Sequence, residues 1–539
     1  MAHEKCTSGG MVDWRSHLDH QIDAIFSLYY IWRPSCWQYR ARSQGLSHGT
    51  NSNCGYPLPM TRFQSLNPAT GEVIAEHQVF DKESVDGAVA RAERAATKWQ
   101  ELGFTGRKRV LDKWNKVIAN RADEFAALIA LETGKPLGDA KLEVSVAISH
   151  LSWASSKAGF YLKDQRRAPG ILMFNMSAMV QRVPLGVVGV IGPWNYPIFT
   201  PMGSIAYALA AGNTVVFKPS EFTPGVGVML EETFNEIAPF EGIFKCITGL
   251  GETGRFLCES KINKLAFTGS TRTAKLVAET CSKNMTPVLL ECGGKDPVIV
   301  DKDANLKLAA EYTVWSAMAN AGQSCIGAER AYVHAQVADK FTEEVLKIVR
   351  DLKPGTSYGP ATMPKQLEII KRHIQAATDA GAKMIYGDVN SVNERIVNPV
   401  VMLDVPENCS AMTEETFGPT IAINKVKDMA EAIALSNASE YGLGASVFSK
   451  RRGYKIAKQL HCGMVAINSA FSFAAIASVP FGGAKQSGYG RIHGPEGLYE
   501  FTYARTLVRP KFEIPLRATS FKRTAGQEKI IASLSKFFK

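Results

Sequence analysis

The sequence predicts an α/β protein built from two doubly wound lobes, and three observations lead there. At 539 residues the chain is longer than one compact core accommodates. Short apolar runs alternate with helical patterns across Val187–Ile191, Met202–Ala211, Thr214–Phe217, Val226–Phe234 and Lys264–Thr268. A second alternating series runs through Pro297–Val300, Leu306–Asn320, Ala331–His334, Phe341–Leu352, Lys365–Ala380, Ala445–Phe448, Gly453–Leu460 and Met464–Ile467. Strands that alternate with helices are the pattern of parallel βαβ units, whose strands are covered on both faces.

Taken in order, residues 1–60 show no sustained periodicity and form an unassigned extension. From about 80 to 165 the pattern is helical, with Ala-rich amphipathic stretches at Val85–Gln100 and Arg107–Asn120. The first lobe is assigned to 61–165 and 184–293, interrupted by an excursion at 166–183. The second lobe takes 294–482, the segment 501–509 is a separate C-terminal element, and 510–539 is a basic amphipathic tail.

Composition narrows the classes of function. Apolar residues at 45% and charged residues at 21% are ordinary for a globular protein. The net charge is +11, of which +7 falls from Arg505 onward, so the body is near neutral. Charge confined in this way does not suggest nucleic-acid recognition. Ten cysteines are scattered without CxxC or CxxC…HxxxH spacing, so neither a metal site nor a disulfide framework is expected. Reduced thiols suit a cytosol-like, cytoplasmic compartment. The apolar stretch Ala24–Trp32 is too short to span a bilayer and lacks the flanks of a secretory signal. Asp13, Asp19 and Asp23 argue against a mitochondrial presequence.

The chemistry starts from a thiol and a carboxylate. Cys325 follows Asn320-Ala321-Gly322-Gln323-Ser324, small and polar residues that can expose its sulfur for attack. Glu291 stands in Leu289-Leu290-Glu291-Cys292-Gly293-Gly294-Lys295, where apolar neighbours would raise its pKa and let it move protons. Gly192-Pro193-Trp194-Asn195-Tyr196-Pro197 follows an apolar strand, so Asn195 falls at the strand's C-terminal edge, where α/β sheets bind ligands. An Asn amide there can donate to a developing oxyanion, or simply serve a turn. At the next strand end, Lys218-Pro219-Ser220-Glu221 presents a cation and a carboxylate suited to the hydroxyls of an adenosine ribose. A carboxylate accepts from a 2′-hydroxyl and repels a 2′-phosphate, which favours NAD over NADP. Phe267-Thr268-Gly269-Ser270-Thr271 ends a further strand and would bring a helix N-terminus to a pyrophosphate.

These segments resemble the aldehyde dehydrogenase superfamily, whose nucleophile segment reads Gly-Gln-Ser/Thr-Cys and whose base segment reads Leu-Glu-Leu-Gly-Gly-Lys. The chain departs from the second at Cys292, and Ala274 stands where relatives often have a second Gly. The resemblance extends over about 61–510. It includes a first hairpin at Leu66–Glu72, the segment Glu414-Glu415-Thr416-Phe417-Gly418-Pro419 and the loop Pro480–Gly488. It implies Rossmann-like cofactor and catalytic lobes with a small β oligomerisation excursion. It implies Cys325 as nucleophile, Glu291 as general base and Asn195 as oxyanion donor. It implies Trp194, Lys218, Ser220, Glu221, Gly269, Ser270, Glu415 and Phe417 as cofactor contacts. Phe481 is the substrate-channel candidate, with an ordinary core role as the other reading. Because acyl-transferring branches lack the base, Glu291 points to hydrolysis and release of a free acid.

The implied activity is NAD-dependent oxidation of a small-molecule aldehyde, with NADP as the alternative nucleotide and no metal. Succinate semialdehyde is one candidate, although Ala319 stands where relatives acting on it often carry an Arg. Phe471, Phe473, Ile476 and Phe481 favour an apolar aldehyde. A catalytically silent relative of the same fold is the rival from another class. By position, 166–183 and 501–509 match the elements through which relatives form dimers or tetramers. The tail mixes Ile530, Ile531 and Leu534 with Lys529 and Lys536, the composition of a segment that can touch an anionic membrane surface or dock on protein.

Overall fold

The structure, a computed structural model, describes residues 61–515, 520–534 and 536. The extension at 1–60 therefore lies outside the described residues.

Two parallel-stranded sheets dominate, as the alternating pattern predicts. The first contains, from one edge, Gly488–Tyr489, Val288–Glu291, Lys264–Thr268, Val187–Ile191, Thr214–Lys218 and Phe244–Cys246. Its five parallel strands, numbered along the chain, lie in the order 3-2-1-4-5. The order reverses between Val187–Ile191 and Lys264–Thr268, and that switch point is where doubly wound sheets hold nucleotides. The second sheet runs Lys383–Tyr386, Val400–Leu403, Thr420–Val426, Ala328–His334, Asp296–Val300, Ser446–Phe448 and Ala466–Ile467, antiparallel only at its first pair. Thr502–Pro510, Met176–Pro184 and Gln165–Arg167 form a separate antiparallel sheet of three strands.

The helices follow their sequence signals closely. Lys82–Glu101 begins where the Asp81 side chain accepts from Ser84 N at 2.9 Å. Its apolar stripe (Val85, Ala88, Val89, Ala92, Trp99) is buried. Gly103–Asn120 contributes Leu111, Trp114 and Ile118 to the cluster that holds Trp99, while Val85, Ala88, Val89 and Ala92 pack in a second one. Trp114 meets Phe234 edge-on at 5.0 Å and gives its indole N–H to Thr233 at 3.0 Å, so its bulk is buried without an unpaired donor. The helix Ala122–Thr133 stops at Gly134, whose φ of 78° permits the left-handed turn. A Cβ at Gly134 would lie 2.6 Å from Pro360, so the turn also requires the missing side chain.

One expectation shifts. The periodic stretch Leu306–Asn320 is helical only through Met318. Asn320, Ala321 and Gly322 then take φ values of 53°, 57° and 71°, which carry the chain away from the helix axis toward Cys325. The tail forms a helix at Ala525–Leu534 with no buried side chain. Among the described residues, no helix is long and apolar enough to cross a membrane.

Candidate active site

The nucleophile loop is held by a closed set of hydrogen bonds. Asn195 Nδ2 donates to Gln323 O at 2.9 Å, and Asn320 Nδ2 donates to Asn195 O and Gln323 O, both at 3.2 Å. Gln323 Nε2 donates to Asn320 O at 2.9 Å, and its Oε1 accepts from Thr362 N at 2.8 Å. These bonds stabilise a backbone in which two residues with side chains sit in the left-handed region, a strain of about 1–3 kcal/mol each. A Cβ on Gly322 would lie 2.1 Å from Gly418 O, so the third position admits only glycine.

Two residues that the sequence reading passed over lock the Asn195 side. Lys135, delivered by the Gly134 turn, donates to Asn195 O at 2.7 Å and pairs with Glu143 at 2.6 Å. Both side chains are buried, and Glu143 Oε1 also accepts from Ile198 N at 3.1 Å. A buried ion pair of this kind specifies position more than it adds stability. One N–H of the Asn195 amide is thus committed to Gln323, and the other remains to meet an oxyanion.

Glu291 ends the fifth parallel strand, pinned on one side by Gly269 N–H to its carbonyl at 3.0 Å and on the other by pairing with Gly488. Its side chain is 1% exposed, and neither carboxylate oxygen has a hydrogen-bond partner in the protein. Burial, reinforced by the charges of Asp296 and Glu415, pushes its pKa up to about 8. Cys325 is half-buried, and burial together with Glu291, Glu415 and Asp296 raises its thiol well above the ordinary range. Cys325 therefore rests as a thiol, and a base must take its proton before the sulfur can attack. The two segments are in direct contact: a Cβ on Gly294 would lie 2.6 Å from Cys325 O.

Glu415 closes the third side. Gly294 N donates to its Oε1 at 3.1 Å, and a Cβ on Gly293 would lie 2.2 Å from its carboxylate. Phe417, at φ 54°, turns its ring edge-on to Trp194 at 5.6 Å. Cys325, Glu291, Asn195, Trp194, Glu415 and Phe417 thus converge, although they come from four distant parts of the chain.

The remaining predicted cofactor residues line the switch point. Lys218 is buried and donates to Pro219 O at 3.0 Å, with the partly exposed Glu221 carboxylate 3.8 Å away. Ser220 Oγ lies 3.4 Å from Glu221 Oε2. The Ser270 hydroxyl caps the helix Thr271–Ser282 by accepting from Thr273 N at 3.3 Å, while Gly269 N is bonded to Glu291 O. Ala274 is buried in the first turns of that helix and is accommodated there. The donor set fits a dinucleotide: an ammonium and a carboxylate for one ribose, a helix N-terminus for diphosphate, and Glu415 with Phe417 for the second ribose and its ring. Phe481 is buried, paired through its backbone with Ile492 at 2.8 and 2.9 Å, and 6.3 Å from the Phe473 ring. Phe199, Phe471, Phe473 and Cys325 pack against the same apolar cluster, and Trp315 meets Phe471 at 5.0 Å.

Two doubly wound lobes that bring a thiol and a buried carboxylate together beside the strand ends have the architecture of an oxidoreductase. The sequence profile of the aldehyde dehydrogenase family matches residues 58–507, and the chain belongs to that family. It is 33% identical over 475 residues to a 4,4'-diapolycopene aldehyde oxidase of Methylomonas, covering 87% of this chain and 89% of that protein. A glutarate-semialdehyde dehydrogenase of Pseudomonas putida is 35% identical over 445 residues, covering 81% and 92%. The crystal structure of an NAD-dependent aldehyde dehydrogenase from Sinorhizobium meliloti superposes with a TM-score of 0.81 at 31% identity, covering 85% and 93%.

Proposed function

We propose that the chain oxidises an apolar aldehyde to its carboxylic acid with NAD, through a covalent intermediate on Cys325. The observation that carries this reading is the contact of the Glu291 segment with the Cys325 carbonyl, beside an Asn195 amide that retains one free N–H.

Cys325 loses its proton to Glu291, and the sulfur adds to the aldehyde carbon, converting the carbonyl oxygen to an oxyanion. The Asn195 amide and the Cys325 backbone N–H receive that charge. NAD, held by Lys218, Glu221, Glu415 and Phe417, would supply the hydride acceptor, and Cys325 would then carry the acyl group as a thioester. Glu291 gives up the thiol's proton to solvent, then takes one from water as the water adds to the thioester carbon, and returns that proton to the departing sulfur. The carbon–sulfur bond breaks, the acid departs and the thiol is restored.

Support for NAD comes from Glu221, whose carboxylate would repel a 2′-phosphate beside Lys218. Relatives named for NADP, such as the succinate-semialdehyde dehydrogenase of Escherichia coli, make NADP the comparison to run. Phe199, Phe471 and Phe473, which pack against the same apolar cluster as Cys325, support an apolar substrate, with Trp315 beside Phe471. A semialdehyde is the second reading, favoured by relatives named for glutarate and succinate semialdehyde. The exposed strand Thr502–Pro510 supports assembly as a dimer or tetramer, and the basic helix Ala525–Leu534 is the part of the chain suited to weak contact with an anionic membrane.

The test is NADH formation at 340 nm across aldehydes from succinate semialdehyde to long-chain and aromatic ones, with NAD and NADP run separately. Cys325→Ser is expected to lower turnover by about a thousandfold or more while the protein stays folded and binds nucleotide. A folded Cys325→Ser protein with wild-type turnover would falsify the assignment. No turnover of any aldehyde by the native chain, despite nucleotide binding, would establish the silent relative.

A further inference from the structure

We propose that Lys295 and Glu329 form a positioning pair that fixes the segment Glu415–Phe417 against the nucleophile and base segments, so that Glu329 governs nucleotide affinity without touching nucleotide. The inference rests on reading Glu415 and Phe417 as contacts of the nicotinamide half of the cofactor.

Lys295 lies four residues beyond Glu291, and Glu329 four residues beyond Cys325. Their strands are parallel neighbours, and the register jumps between Asp296↔Ala328 and Pro297↔Arg330. Glu329 is the extra residue in that jump, a bulge of the kind that redirects a side chain. Its carboxylate is 7% exposed and forms an ion pair with the fully buried Lys295 ammonium. It also accepts from Thr416 N at 2.8 and 2.9 Å and from Phe417 N at 3.0 Å. Lys295 Nζ adds a bond to Thr416 Oγ1 at 3.1 Å, and the same hydroxyl lies 3.0 Å from His373 Nδ1. Gln366 Nε2 donates to Thr416 O at 2.6 Å. Arg330, the next residue, returns to Lys295 O at 2.8 and 3.1 Å.

Every polar group of Thr416 is therefore engaged, and its immediate neighbours Glu415 and Phe417 are the two residues directed at the cofactor. Two backbone N–H groups and an ammonium converge on one buried carboxylate. Removing it leaves the Thr416 and Phe417 N–H groups without their acceptor and the buried Lys295 charge without its counter-ion, which is relieved only if 415–417 moves away. The thiol–base contact through Gly294 and Cys325 O does not pass through this carboxylate. The pair should thus act on nucleotide binding and spare the reactivity of the thiol.

Steady-state kinetics and a chromogenic ester separate the two. Acetylation of Cys325 by p-nitrophenyl acetate requires the thiol and no nucleotide. For Glu329→Ala, KM for NAD is expected to rise about tenfold or more, with KM for aldehyde and the ester acylation rate within about twofold of wild type. Glu329→Gln keeps an acceptor for the backbone N–H groups and should recover most of the loss, to about two- to threefold. An NAD KM within about twofold of wild type in folded Glu329→Ala overturns the proposal, as does an equal fall in ester acylation and NAD affinity. Should Glu329→Ala not fold, Thr416→Val decides: a rise of about two- to threefold in NAD KM supports the pair, and no change overturns it. Failure of the native enzyme to be acylated by the ester would instead indict Cys325, and with it the functional reading beneath.

Discussion

Glu291 shows how burial can make an acid into a base. A carboxyl with no hydrogen-bond partner in the protein and a pKa near 8 holds its proton at neutral pH, so turnover should rise with pH and level off above about 8. The same shift affects stability. The folded chain binds this proton more tightly than the unfolded chain, so the contribution is fully present below about pH 4.5 and is lost as pH rises through about 8. Glu291→Gln removes the cost of burying the charge. Its melting temperature should exceed the wild type's by about 2–5 °C at pH 8.5 and match it within about 1 °C at pH 5, by scanning calorimetry. The variant should also accumulate acyl-enzyme, visible by intact-protein mass after mixing with aldehyde and NAD. Cys325, Glu291 and Asn195 could be singled out as candidates in the sequence because each sits in a local motif that resembles the family's, and the structure brings their segments together. Lys135, Glu143 and Glu329 could not, because a buried ion looks like any surface charge until its partner is known. The partner of Lys135 is the Asn195 carbonyl, and that of Glu329 is the backbone of Thr416 and Phe417.

Among the elements, the segment 319–325 departs most from what periodicity implies. The helical pattern through Asn320 is real, yet Asn320 gives its side chain to Asn195 O and Gln323 O, and those bonds favour the left-handed turn over another helical residue. Gly322→Ala should cost about 2–3 kcal/mol in urea unfolding, because the new methyl meets Gly418 O in a left-handed backbone. It should also lower turnover more than it lowers nucleotide affinity, since the displaced atom is the sulfur. Strands and amphipathic helices were legible because their periodicity is local. The helix Lys82–Glu101 contains the predicted Val85–Gln100, and Gly103–Asn120 contains Arg107–Asn120. The bulge at Glu329 carries no periodic signature, since an extra residue is visible only against the neighbouring strand.

The whole molecule carries most of its net positive charge at its C-terminal end and its candidate site beside the strand ends of one sheet. The helix Ala525–Leu534 buries no side chain, so a chain ending at Ile514 should melt within about 2 °C of the full chain and keep its turnover. Co-sedimentation with phosphatidylserine vesicles should be lost in the shortened chain; equal binding by both would end the membrane reading. The alternating series announced two lobes, but not that the first would be completed by residues following the second. The strand that carries Glu291 is paired by Gly488–Tyr489, and Met176–Pro184 is paired by Thr502–Pro510. On the ribosome, Cys325 therefore emerges long before the strand that braces its base has been synthesised. A chain interrupted before Gly488 would hold the thiol without the strand that pairs with the Glu291 segment.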